Sequence, residues 1–302
     1  NHLTIYLISG PPFGENDPVY TADNTYDGEK YTFFTVAVVE FLNRSAWKPN
    51  IFHFNDWHTA PGAYLVSRER KTNPALERTR TVLSIHNLPY SGRGAETALA
   101  HYHIPSLPHP LLPSWAYHQP LPRGLQFADQ IIAVSPQYAR EILTPQFGCE
   151  MDAFLKTRQA SISGIINGLD LECWNPASDP FLTRRFSAQT LADRSQNKSA
   201  LLKSLNLNAQ PESSLFVYIS RMDSQKGVDL IPQALKSNLD LPWSAVFLGT
   251  GDPDLMRVCQ DFQSAYPDRV RAEMRFDAQL AHQLYASGDV ILMPSRYEPC
   301  GL

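Results

Sequence analysis

The chain has 302 residues, long enough for one large domain or two ordinary ones, and at 43% hydrophobic and 19% charged it can bury a core. A formal net charge of −4 argues against a generic nucleic-acid binder, and no apolar run reaches the length of a membrane span. The four cysteines, Cys149, Cys173, Cys259 and Cys300, show neither CxxC spacing nor a dense framework, which fits reduced thiols in a cytosol or a plastid stroma.

Leu3-Thr4-Ile5-Tyr6-Leu7-Ile8 reads as an opening strand. Phe34, Ala37, Val38 and Phe41 stand at helical spacing and predict a helix over 31–41. Strands are expected at 51–54, 81–85 and 130–134, the last followed by a helix beginning at Pro136. The stretch 93–123, rich in Pro and His, reads as a long irregular insertion with one short helix, the kind of loop that is usually functional or mobile. Residues 179–208 look polar and helical. Past a switch placed near 164–180 the alternation restarts, with a strand at 215–219, a helix at 228–235, a strand at 245–248, a helix at 278–286 and a final apolar strand at 290–293. Such β-α alternation predicts α/β architecture with parallel, doubly wound sheets. The expectation is two Rossmann-like domains, 1–165 and 166–302, facing a cleft that is the default site.

An open α/β sheet places ligand chemistry outside the carboxyl ends of its strands. Asp56 and His58, His86 and Asn87, and Ser135 all fall there. So do Arg221 and Lys226 after the strand 215–219, and Glu298 after the last strand. By themselves an Arg and a Lys near a turn are as well read as solvated charges, and a lone Glu in a turn as a surface residue. His53-x-x-Asp56-x-His58 offers three potential metal ligands, but side chains alternate faces along a strand and no other acidic or Cys cluster completes a shell, so no metal is expected. Asp56 could equally cap the helix that follows, with Thr59 and Ala60 in its first turn. Asn167-Gly168 is a turn dipeptide. Gly249-Thr250-Gly251-Asp252 is too short for a dinucleotide fingerprint, and no redox cofactor is suggested. Cys300 has no neighbouring His or Lys to activate it and reads as a packing residue whose main chain matters.

Five segments in order carry a resemblance: Asn55-Asp56-Trp57-His58-Thr59-Ala60, Ile85-His86-Asn87-Leu88, Asn167-Gly168-Leu169-Asp170, Ser220-Arg221-Met222-Asp223-Ser224-Gln225-Lys226-Gly227, and Pro294-Ser295-Arg296-Tyr297-Glu298-Pro299-Cys300-Gly301-Leu302. Weaker echoes are Ala133-Val134-Ser135-Pro136-Gln137-Tyr138-Ala139, Trp174-Asn175-Pro176 and Leu248-Gly249-Thr250-Gly251-Asp252-Pro253. Together they resemble the bacterial and plant glycogen/starch synthases over nearly the whole chain. That resemblance implies a retaining glucosyltransferase of the GT-B type that moves glucose from ADP-glucose to the 4-hydroxyl of an α-1,4-glucan without a cofactor. It implies Arg221 and Lys226 on the diphosphate and Glu298 and His86 at the donor glucose. Asp56, His58, Asn87 and Asn167 would line the sugar side, with Cys300, Gly301 and Leu302 acting through backbone N–H groups.

The resemblance also implies missing pieces. The sequence contains neither the family's N-terminal Lys-x-Gly-Gly loop nor the helix expected after Glu298, so both domains are expected to be incomplete at their outer ends and the chain inactive by itself. Pro89-Tyr90-Ser91-Gly92 and Pro122-Arg123-Gly124-Leu125 depart from the family pattern on the acceptor side. Two other readings are a retaining GT-B transferase with a different acceptor and a non-catalytic glucan-binding relic; the retained Arg221, Lys226 and Glu298 speak against the second, since binding alone needs no diphosphate clamp.

Overall fold

The computed structural model describes residues 3–14, 17–21, 23–208 and 213–301. They form two compact units, residues 1–167 with 299–302, and residues 168–298.

In the first unit four parallel strands stand side by side in chain order: β1 (Ile51–Asn55), β2 (Arg80–Ile85), β3 (Gln130–Ala133) and β4 (Ile162–Gly164). Phe54, Leu83, Ile131 and Ile162 sit in register across the sheet, and the first three are buried in one apolar core. The helix Asn24–Arg44 starts where the Asp23 carboxylate accepts the N–H groups of Thr25 and Tyr26. It therefore extends beyond the predicted 31–41. Its Gly28 lets the backbone of Ala95 approach, since a Cβ there would meet Ala95 Cα at 2.5 Å.

Two expectations fail in this unit. Residues 3–8 form no strand: Leu3, Ile5 and Leu7 are exposed and no strand among the described residues pairs with their backbone, and an apolar run without a ladder and a buried face has no reason to hold strand geometry. The stretch 93–123 is more helical than predicted, with Glu96–His101, the 3-10 turn Ser114–His118 and the start of the helix Pro120–Phe127. Prolines at 120 and 122 fall in a first turn, where backbone N–H groups have no intrahelical partner to lose, so they begin the helix instead of breaking it. Residues 120–125 are all buried, and a Cβ on Gly124 would meet the Ala60 Cβ at 2.6 Å, so the helix lies hard against the helical segment after β1.

The second unit has β5 (Ser214–Ile219), β6 (Trp243–Leu248), β7 (Val270–Glu273) and β8 (Val290–Ile291), all parallel, in the order β7-β6-β5-β8. Period-two alternation sorts its side chains onto two covered faces. Tyr218, Ala245 and Phe247 face one cluster with Phe262 and Ile231, while Leu215, Val217, Val246 and Leu248 face another with Leu201, Leu202, Leu280 and Leu284. β6, flanked by strands on both sides and buried at every residue, is apolar but for Ser244.

Candidate active site

In the first unit the carboxyl ends of β1 and β2 are tied by a carboxylate. Asp56 follows β1 with φ +50°, a conformation seldom taken by a residue with a side chain, and its Oδ1 accepts the backbone N–H of His86 at 2.7 Å and of Asn87 at 3.4 Å. The capping role considered for Asp56 is not found: it is the first residue of the turn Asp56–Thr59, and Thr59 Oγ1, not the carboxylate, bonds the backbone of Asn55. Burial pushes the Asp56 carboxyl up from the usual range, with the His86 and Asn87 N–H bonds and the nearby His86 opposing that rise. His86 Nε2 lies 3.0 Å from Asn55 Oδ1, which holds its exposed ring over the strand ends. Tyr138 Oη accepts the Leu88 N–H at 2.9 Å, and Ser135 caps the helix Pro136–Glu141.

His58 is placed differently from its neighbours. Its ring packs 4.5 Å from Tyr31 and 4.2 Å from Trp57, and burial lowers its pKa to about 4, so it stays neutral near pH 7. Its Nε2 is buried without a hydrogen-bond partner among the described residues. His53 Nε2 contacts Ser84 Oγ at 2.7 Å. His53, Asp56 and His58 thus have separate surroundings, and among the described residues no group of three or more His, Cys, Asp or Glu side chains converges as a metal-holding set. Arg123, in one of the segments that depart from the family pattern, is a core residue: 1% exposed, with Nη2 donating to the Tyr117 carbonyl at 3.0 Å. Asn167 is half-buried after β4, Cys300 packs against the core of this unit, Gly301 is exposed, and Leu302 lies outside the described residues.

In the second unit the loops after β5 and β8 are stitched together. Arg296 N–H donates to the Gln225 carbonyl at 2.8 Å, Gln225 Nε2 to the Tyr297 carbonyl at 3.2 Å, and the Arg296 fork grips Asp229 at 3.0 and 2.7 Å. That hydrogen-bonded guanidinium holds the Asp229 carboxyl below the usual carboxylate range. Gly227 takes φ +67°, and a Cβ on it would stand 2.2 Å from the Pro294 carbonyl oxygen, so only glycine lets the two loops touch. The stitching brings Lys226 Nζ to 2.6 Å from Glu298 Oε2, which also accepts from Ser295 Oγ at 2.9 Å. Both bonds land on Oε2; among the described residues Oε1 takes none. Arg221 is 65% exposed, 3.7 Å from Asp223, with its guanidinium open to solvent on one side. The structure thus groups Lys226 with Glu298 in one unit and Asp56, His86 and Asn87 in the other.

Sequence reasoning gave no role to Asp229, Ser295, Arg296 or Gln225, although the last three lie in the segments that carry the resemblance. Arg296 and Ser295 flank Glu298 closely enough to be suspected; Asp229 is marked only by its proximity to Lys226 in the chain.

Two parallel-sheet α/β units carrying polar side chains after their strands match the two-Rossmann-domain fold of GT-B glycosyltransferase structures. The sucrose-phosphate synthase of Thermosynechococcus elongatus, 18% identical with a TM-score of 0.52 over 91% of this chain and 57% of its own, shares that fold. Residues 1–157 match the model of the starch synthase catalytic domain, and the chain belongs to that family. It is 35% identical to the glycogen synthase of Streptococcus gordonii over 98% of this chain and 61% of the relative, and 39% identical to that of Lactiplantibacillus plantarum over 100% and 63%. It thus spans less than two thirds of the length of these relatives. The catalytic domain of starch synthase IV from Arabidopsis thaliana, solved with ADP and acarbose bound, superposes with a TM-score of 0.84 at 32% identity, over 94% of this chain and 59% of that one.

Proposed function

We propose that the protein carrying this chain transfers glucose from ADP-glucose to the non-reducing 4-hydroxyl of an α-1,4-glucan, with retention at the anomeric carbon. The observation that carries this reading is the Lys226–Glu298 pair at 2.6 Å, with Arg221 after the same strand. When a nucleotide-sugar bond breaks, negative charge grows on the departing diphosphate and positive charge on the anomeric carbon. A cation paired with a carboxylate, with a second cation after the same strand, matches that separation better than it matches the ground state. Lys226 spends one of its three donors on Glu298 and keeps the others for phosphate oxygens. Glu298 keeps Oε1 for a sugar hydroxyl. The reading gives His86, Asp56, His58, Asn87 and Asn167 to the sugar side, and Cys300, Gly301 and Leu302 to backbone contacts with the donor. It makes residues 1–165 the acceptor side and residues 166–302 the nucleotide-sugar side. The ADP and acarbose bound to the related starch synthase IV support both the nucleotide and the glucan.

Retention by a covalent route needs a nucleophilic carboxylate beneath the anomeric carbon. Glu298 is committed to Lys226 and Ser295, and Asp56 to backbone N–H groups, so both act here as positioning charges. A front-face transfer, with the departing phosphate taking the acceptor proton, needs no such nucleophile. The test is radiolabelled transfer to glycogen by the full-length protein, comparing ADP-glucose with UDP-glucose, together with proton NMR of the first new linkage. Label from ADP-glucose in α-linkages is expected; transfer from UDP-glucose alone, or a β-linked product, would overturn the reading.

A further inference from the structure

In the second unit, three side chains form a relay that the proposed transfer does not use. His282 and Asp179 are each 5% exposed at the side chain, and His282 Nδ1 lies 2.6 Å from Asp179 Oδ2. Asp179 is itself held, with Oδ1 accepting the Phe181 N–H at 2.9 Å and its carbonyl accepting from Arg185 Nε at 3.2 Å. Trp174 stacks on the imidazole at 3.9 Å and 5°, which fixes the ring plane. The other ring nitrogen, Nε2, lies 4.0 Å from Cys173 Sγ. Cys173 is the exposed one of the four cysteines. The others are ill placed to react: burial pushes the Cys259 thiol up to about 12 and raises that of Cys149, and Cys300 packs against a core.

We propose that Cys173 is a nucleophilic thiol served by the His282–Asp179 pair as its base, and that it takes up small disulfides by thiol–disulfide exchange. An imidazole oriented by a buried carboxylate is the arrangement that activates a thiol, and the nucleophile–base distance is often loose before a reactant arrives. The surrounding charges are Asp170, whose carboxylate accepts the Cys173 N–H at 2.9 Å, Glu172 beside it, Asp179 and Arg185; Tyr285 stands against Trp174. His282 acts during attack: the Cys173 proton passes to Nε2 as sulfur bonds one sulfur of the disulfide, the S–S bond breaks, and the departing thiolate takes that proton. Cys–SH and R–S–S–R become Cys–S–S–R and R–SH, with no net oxidant beyond the disulfide itself.

Glutathione disulfide at pH 7, with peptide mass spectrometry resolving each cysteine, tests this on the native protein. Cys173 is expected to be modified about tenfold or more faster than Cys149, Cys259 and Cys300, and Asp179→Asn to slow Cys173 by about tenfold or more. If the cluster only pins the chain, Asp179→Asn loosens it and Cys173 reacts as fast or faster, which overturns the proposal. Should the variant not fold, the comparison is Cys173 in native protein against Cys173 in denaturant, where its partners are dispersed. A native rate above the denatured one supports the proposal, and one equal or lower overturns it.

Discussion

Lys226 and Glu298 are 72 positions apart in the chain and 2.6 Å apart in the fold. One follows β5 and the other β8, neighbours in the sheet, so the pairing of two short strands is what juxtaposes a cation and a carboxylate. The loops that carry them are bound by the Arg296–Asp229 fork and by the glycine at 227, so the pair sits on a braced turn rather than on a free loop.

In the full-length protein, Lys226→Ala or Arg221→Ala should lower turnover about a hundredfold or more, the size expected when one charge-stabilising donor is removed. Arg221 is largely exposed, so its loss should leave the melting temperature unchanged. Steady-state kinetics with near-normal turnover in either variant would show that the phosphate assignment is wrong.

Glu298→Gln keeps the shape and removes the charge. Its pair with Lys226 is about a fifth exposed on each side, and the stability cost should be about 1 kcal/mol or less, whereas kcat should fall at least tenfold. Thermal melting and kinetics on the same preparation separate the two effects. A large drop in melting temperature with unchanged kcat would make the pair purely structural.

Transfer should survive chelation, because the leaving charge is met by Arg221 and Lys226. Activity measured before and after EDTA and gel filtration decides it. Complete loss restored by one divalent ion would instead bring a metal into the reaction.

Gly227→Ala places a Cβ at φ +67° and 2.2 Å from the Pro294 carbonyl oxygen. The left-handed backbone alone costs about 1–2 kcal/mol, and the clash adds to it, so a loss above about 2 kcal/mol is expected in denaturant titrations. The Lys226–Glu298 geometry should suffer with it. An unchanged midpoint would mean that the two loops can separate freely.

His58 links stability to pH. Its folded pKa of about 4 lies below the unfolded value near 6.5, so between those values the unfolded chain binds the extra proton and stability falls as pH drops. The full shift corresponds to up to about 3 kcal/mol, reduced by the ring's partial exposure. His58→Phe keeps an aromatic ring beside Tyr31 and Trp57 and should flatten the stability curve between pH 6.5 and 4. Denaturation midpoints for both proteins across that range give the answer, and parallel curves would contradict it.

Most of the sheet was legible from local pattern. β1, β2, β3, β5 and β6 are apolar runs long enough to stand out, and polar residues at their ends pointed to the strand termini. β4 and β7 were not, because Ile162-Ser163-Gly164 is short and Val270-Arg271-Ala272-Glu273 is half polar, and only a neighbouring strand makes either of them a strand. The run Leu3 to Ile8 has the pattern, but no described strand pairs with it.

The sequence by itself settled the α/β alternation, the residue types gathered after the strands, and the family that their order resembles. Tertiary structure alone decided what those residues touch: that Lys226 meets Glu298, that Asp56 holds the His86 and Asn87 backbone instead of a helix end, that the ring of His58 packs against Tyr31 and Trp57, that Arg123 is core, and that Cys173 lies beside His282 and Asp179. The reason is range. Periodicity and turn chemistry act over a few residues and leave their mark in every short window of the chain, whereas a contact between residues tens of positions apart exists only once strands have paired, and strand register and loop packing are decided by the whole core.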